Sequence, residues 1–235
     1  MNISGLQKMT LLDFPGKVAC TVFLSGCNFL CPFCHNSELI GKDAETLMTE
    51  DELLSFLKKR TGILEGICIT GGEPTLQEGL VPFIKKVKDL GYQVKLDTNG
   101  YKPDILKKLI DEKLVDYVAM DIKNSEEKYA ETAGLESFDF SKIKQSMSIL
   151  TQDVVPYEFR TTIVNELHTL EDIKSVASLL SKLLCGKKAP RYALQAFCDR
   201  DTVRFSGFSA PAKTTLEGFK QALLPVCSEV LLRGV

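Results

Sequence analysis

Short runs rich in β-branched and aromatic residues alternate along this chain with amphipathic runs of helical period, and that alternation restricts the fold more than any other feature. Strand patterns lie over residues 17–25, 66–70, 92–98, 115–123, 157–164, 191–197 and 228–232. Helical patterns lie between them, over 50–59, 82–90, 103–112, 141–150, 170–184 and 212–224. Strand, helix, strand in succession means βαβ units, which require parallel pairing and right-handed crossovers. Local signals agree. Thr49 with Glu52 three residues on is a capping box, Pro82 stands in a first turn, and Gly91 stops a helix. At 235 residues the chain can build one sizeable core, and α/β barrels of this length are commonly one domain. The expected domain is therefore 1–235, with a barrel core over about 17–197 and a terminal helix and short strand over 212–232. Two polar stretches, 124–139 and 199–211, are read as solvated loops.

The residues capable of chemistry stand at or near the C-terminal ends of these strands. The stretch 26–36, Gly-Cys-Asn-Phe-Leu-Cys-Pro-Phe-Cys-His-Asn, follows the first strand, and Gly71-Gly72-Glu73-Pro74 follows the second. Asp97 and Thr98 end the third strand, while Asp121 and Lys123 end the fourth on one side of it. Arg160 lies in mid-strand in the fifth, and Gln195 late in the sixth. Taken singly, each has a plain structural explanation: a turn opening a helix, a tight turn, an ion pair at a strand end. Gathered at one rim, they match the placement of active sites on α/β barrels. Arg160 resists the plain explanation, because a charge within a parallel strand is rarely buried without a partner.

Composition narrows the chemistry. Lys+Arg 29 against Asp+Glu 31 leaves net charge −2, with no basic run interleaved with aromatics, so nucleic-acid binding has no electrostatic support. The first residues lack a signal-peptide pattern, and no apolar run approaches the ~20 residues of a membrane span. A cytoplasmic protein with reduced thiols is expected. Cys20, Cys68, Cys185 and Cys227 then read as buried small hydrophobes, and His168 as a surface residue before a helix. Pro32 rules out a helical stripe for Cys27, Cys31 and Cys34, which leaves a loop whose thiols converge. Zinc on these three with His35 would make a closed structural site. A redox dithiol does not use the third thiol. A four-iron cluster on three thiolates leaves one iron open to another ligand.

Cys-x3-Cys-x2-Cys with an aromatic residue before the third cysteine resembles the signature of radical S-adenosylmethionine enzymes, and Gly-Gly-Glu-Pro resembles their second motif. The resemblance covers nearly the whole chain. Within that superfamily, Asp13-Phe14-Pro15-Gly16, Gly26-Cys27-Asn28, Cys34-His35-Asn36, Asp97-Thr98-Asn99-Gly100 and Asp121-Ile122-Lys123 are similar to the glycyl-radical-enzyme activases. The likeness is strongest to those serving anaerobic ribonucleoside-triphosphate reductase.

The resemblance implies a partial (β/α)6 TIM-like barrel. It implies one [4Fe-4S] cluster on Cys27, Cys31 and Cys34, with the open iron chelated by S-adenosylmethionine. Gly72 and its neighbours would meet the cofactor's amino group, and Glu73 would support that turn. Phe33 and His35 would line the adenosine, and Lys123 and Arg160 would contact carboxylate or ribose. Gln195 stands where the formate-lyase activase has a histidine, which suggests a ribose contact. Asp97, Thr98 and Asp121 would ligate a monovalent cation. The implied reaction is reductive cleavage of the cofactor to a 5′-deoxyadenosyl radical that takes hydrogen from a glycine of a partner enzyme. A flavodoxin- or ferredoxin-like protein would donate the electron, and loops 36–48 and 199–211 would dock the partner. The alternatives are a small-molecule enzyme such as 7-carboxy-7-deazaguanine synthase, and a zinc-binding module.

Overall fold

The computed structural model describes residues 1–41 and 44–235. Among them are eight strands: β1 (Ile3–Thr10), β2 (Ala19–Leu24), β3 (Gly66–Gly71), β4 (Gln93–Thr98), β5 (Tyr117–Asp121), β6 (Tyr157–Ile163), β7 (Ala189–Ala196) and β8 (Cys227–Arg233). Their order in the sheet follows the chain, β1 to β8. β2 pairs with β3 in parallel, as do β3 with β4, β6 with β7 and β7 with β8; β1 alone among these pairs is antiparallel to its neighbour, β2. The helices are α1 (Glu50–Lys58), α2 (Leu80–Asp89), α3 (Pro103–Asp111), α4 (Tyr129–Thr132), α5 (Phe140–Leu150), α6 (Leu170–Leu184) and α7 (Lys213–Leu223). No helix of the described residues is long and apolar enough to cross a membrane.

The fold is the α/β alternation the sequence predicts, with two additions. β1 went unread because its residues are mostly half-exposed or exposed and follow no clean alternation, as happens at a sheet edge. α4 lies inside the stretch expected to be loop. Tyr129 and Thr132 are fully buried, so packing rather than periodicity fixes that turn of helix. α2 begins two residues before its expected start, which puts Pro82 at the third helical position. Its missing N–H costs nothing there. The Thr49–Glu52 capping box forms at α1 as expected, and α6 has the boundaries its period predicts.

The chain falls into two compact units: residues 1–28, 38–119 and 154–156 in the first, and 29–37, 120–153 and 157–235 in the second. In the first unit β2 and β3 are almost wholly buried, as parallel strands covered on both faces must be. Leu53 and Leu57 of α1, and Phe83, Ile84 and Val87 of α2, complete that core. In the second, Phe159 and Tyr192 are buried from the sheet, with Ile143, Met147, Ile173 and Leu180 from α5 and α6. The cysteine loop crosses from one unit to the other between Asn28 and Phe29.

Candidate active site

In the first unit the turn after β3 is pressed onto the start of the cysteine loop. Gly71 has φ +113, and a Cβ there would stand 2.3 Å from the Leu24 carbonyl oxygen; one on Gly72 would stand 2.3 Å from that of Gly26. Only glycine permits such an approach. The contact is hydrogen-bonded: Gly72 N–H donates to Leu24 O (2.7 Å) and Glu73 N–H to Gly26 O (2.8 Å). On the far side Gly26 N–H donates to Leu39 O (2.7 Å) and Cys27 N–H to Ile40 O (3.0 Å).

Glu73, 1% exposed, ties this turn to the end of β4. Its carboxylate accepts from Thr75 N (3.1 Å), Thr75 Oγ1 (2.5 Å), Thr98 Oγ1 (2.7 Å) and Asn99 N (2.6 Å). Burial pushes its pKa up, against the pull of those donors. Glu73 and Thr98 are thus brought together. Asp97 is not, since alternation along β4 turns it to the other face. There it forms a buried ion pair with Lys95, and Cys68 Sγ lies 3.7 Å from its carboxylate and 3.6 Å from the Lys95 ammonium.

In the second unit Cys34 N–H donates to Cys31 O (3.1 Å), closing a tight turn over Pro32 and Phe33. Burial raises the Cys31 thiol to about 11, with the Lys123 ammonium acting against it. Burial raises Cys34 as well, opposed by a backbone hydrogen bond from Asn36 and by Lys123. Burial thus favours the protonated form of both thiols. Asp121 accepts from Arg160 Nε (2.8 Å) and Lys123 Nζ (3.1 Å). Burial alone would raise its pKa, but the two cations outweigh it and bring the carboxyl down to about 2. Arg160 has the partner that its place in a strand demanded.

Phe33 is buried edge-on to Phe208 at 6.5 Å, and the His35 ring stacks on Phe197 at 5.4 Å and donates from Nε2 to Cys198 O (2.7 Å). Gln195 is half-buried in β7, in register with Thr162 and Arg233.

Three expectations need correction. His168, read as a surface residue, is 4% exposed. Its Nδ1 lies 3.1 Å from Val164 N–H and 3.2 Å from Val164 O, and its Nε2 donates to Lys123 O at 2.8 Å. Cys185 is exposed rather than buried, because it caps α6 in the left-handed region (φ 49), past the last apolar position of the helix. The 124–139 stretch is a seat for the cysteine loop. Leu30 N–H donates to Ala133 O (2.9 Å), and Phe29 lies edge-on to Tyr129 (6.3 Å) and Phe138 (5.5 Å). The aromatic residues of that stretch were the available signal.

The donor set suits an iron–sulfur cluster. Among the described residues the eight cysteines are thiols rather than disulfides. Three of them stand in one loop, the loop is cradled by glycines whose Cβ atoms would collide with it, and a lysine ammonium acts on two of the thiols. Among the described residues no three His, Cys, Asp or Glu side chains form a group able to hold a single metal ion. The residues expected to hold a monovalent cation fit it poorly, since Asp97 and Asp121 already carry lysine and arginine partners and the Thr98 hydroxyl is given to Glu73.

The profile of the Radical SAM superfamily matches residues 21–180. A Methanocaldococcus jannaschii protein provisionally named as a glycyl-radical enzyme activating enzyme is 30% identical over 242 residues, 99% of this chain and 96% of its own length. The 7-carboxy-7-deazaguanine synthase of Clostridium acetobutylicum is 27% identical over 206 residues, 84% of this chain and 83% of its own. The solved structure of Streptococcus suis SuiB bound to S-adenosylmethionine matches with a TM-score of 0.68 at 11% identity, covering 91% of this chain and 52% of that one, which establishes the fold.

Proposed function

The chain belongs to the radical S-adenosylmethionine superfamily, and from that premise we propose that it activates a glycyl radical enzyme, specifically anaerobic ribonucleoside-triphosphate reductase. The family implies a [4Fe-4S] cluster and S-adenosylmethionine, which together supply reductive cleavage to the 5′-deoxyadenosyl radical that takes hydrogen from the partner's glycine.

The chain's own residues do the holding. Cys27, Cys31 and Cys34 carry the cluster, giving up protons that burial otherwise keeps on Cys31 and Cys34. The backbone around Gly72 receives the cofactor's amino group, and Glu73 keeps that turn rigid through its four donors. Lys123 and Arg160 take its carboxylate or ribose, already oriented by Asp121. Phe33 and His35 line the adenosine, and Gln195 reaches the ribose. No monovalent cation is needed in this reading, because side-chain cations fill the charge-balancing role expected of it. A flavodoxin- or ferredoxin-like protein supplies the electron.

The observation that carries the activase reading is the relative of that name, which matches end to end. It is tested by mixing anaerobically reconstituted protein, S-adenosylmethionine and reductant with candidate partners. A glycyl-radical doublet in the electron paramagnetic resonance spectrum is expected with the ribonucleotide reductase. A doublet with another glycyl radical enzyme only would reassign the partner. Substitutions in loop 199–211 should abolish the doublet while cofactor cleavage continues. Loop 36–48 is the second docking candidate; its residues 42 and 43 lie outside the described residues. The synthase relative supports a second reading, turnover of a small molecule without a protein partner. No doublet with any partner, together with turnover of the synthase's substrate, would establish that reading instead.

A further inference from the structure

Asn28 follows Cys27 directly, and its side chain is aimed by a chain of hydrogen bonds that begins at Glu73. The Glu73 carboxylate fixes Asn99 by accepting its backbone N–H (2.6 Å). Tyr101 N–H donates to Asn99 Oδ1 (3.0 Å), so the Asn99 atom that faces Asn28 must be Nδ2. That nitrogen donates to Asn28 Oδ1 at 2.9 Å. Turning the Asn28 amide over would set two NH2 groups against each other, so its orientation follows from the network. The Asn28 Nδ2 is left buried, with no hydrogen-bond partner among the described residues. Native structures rarely leave a buried donor without an acceptor. This one is held rigidly, one residue from a cluster cysteine.

We infer that Asn28 donates a hydrogen bond to a sulfur of the cluster held by Cys27, and that this bond sets the cluster's reduction potential. The inference rests on the radical S-adenosylmethionine reading and adds a role for a residue outside the ligand set. An N–H directed at sulfur stabilises the reduced cluster, which carries one more negative charge, and so raises the potential. Asn99 and Glu73 act through Asn28 as positioning residues.

The test is a redox titration of the full-length reconstituted protein, followed by electron paramagnetic resonance without S-adenosylmethionine, with iron and sulfide measured on every sample. In Asn28→Ala and Asn28→Asp the constant for one-electron reduction should fall about tenfold, which is a shift of about 59 mV to lower potential. Asn99→Ala leaves the loop sequence intact and should shift the potential in the same direction by a smaller amount. Should the Asn28 variants fail to hold iron, Asn99→Ala carries the measurement. Unchanged potentials at full iron content would overturn the inference. So would an unchanged potential with weakened S-adenosylmethionine binding, which would assign the donor to the cofactor. Wild-type protein that takes up no iron would instead refute the reading on which the inference stands.

Discussion

His168 Nε2 donates to Lys123 O, while Nδ1 lies between Val164 N–H (3.1 Å) and Val164 O (3.2 Å), accepting from the first when the ring is neutral and donating to the second when it is charged. Burial holds its pKa below the ordinary 6.5, outweighing the hydrogen bonds to the Lys123 and Val164 backbone and the nearby Asp172, which all pull it up, while Lys128 reinforces the depression. The folded pKa lies below the unfolded one, so this contribution is complete above the unfolded pKa and is lost as pH falls from there through the folded pKa. Thermal stability should drop as pH is lowered from about 7.5 to below the unfolded histidine pKa of about 6.5. His168→Gln should lower Tm at the higher pH and flatten the drop; an equally steep drop in the variant would place the sensitive group elsewhere. Asp121 does not contribute in that window, because its carboxyl stays ionised down to about 2. A histidine before a helix looks solvent-facing when only its neighbours in sequence are known. What buries it is a carbonyl 45 positions away, and that is tertiary information. The turn braced by Glu73 and the pairing of Arg160 were legible because a glycine turn is written in its spacing and a strand cannot bury a charge alone.

β4 shows what an element conceals. Its β-rich pattern is enough to predict a strand, with Asp97 expected as a cation ligand, but the pattern does not show that Lys95 and Asp97, two residues apart on one face, pair with each other. Their side chains are only 3% and 13% exposed. Removing one partner of a buried ion pair costs about 3–5 kcal/mol, whereas removing both costs much less. Lys95→Met should therefore destabilise the protein by several kcal/mol in urea unfolding, and Lys95→Met with Asp97→Leu should recover most of it. A Lys95→Met effect under ~1 kcal/mol would mean that the pair is effectively solvated. β1 and α4 escaped the sequence reading for a related reason. The edge strand needs no apolar alternation, and the four residues of α4 are too few to show a period.

At the scale of the molecule, periodicity carried the α/β alternation and the motifs carried the superfamily, because a cluster loop and a glycine turn must be written into the chain. The partner was not legible. Its recognition depends on a surface shaped to another protein, which no short motif encodes. The division into two units was also hidden, since the sequence has no linker or shift in composition at the crossing after Asn28.

Gly134, just past α4, has φ +69, and a Cβ there would come within 2.2 Å of the Leu30 carbonyl oxygen. In a saturation library selected for function, position 134 should therefore tolerate no replacement, side by side with 71 and 72, although no motif includes it. Gly186 and Gly207 also have positive φ, but a Cβ on either would meet nothing within 4 Å, so both should accept asparagine. Such a map would separate glycines required by a neighbouring chain segment from those required only by their own backbone.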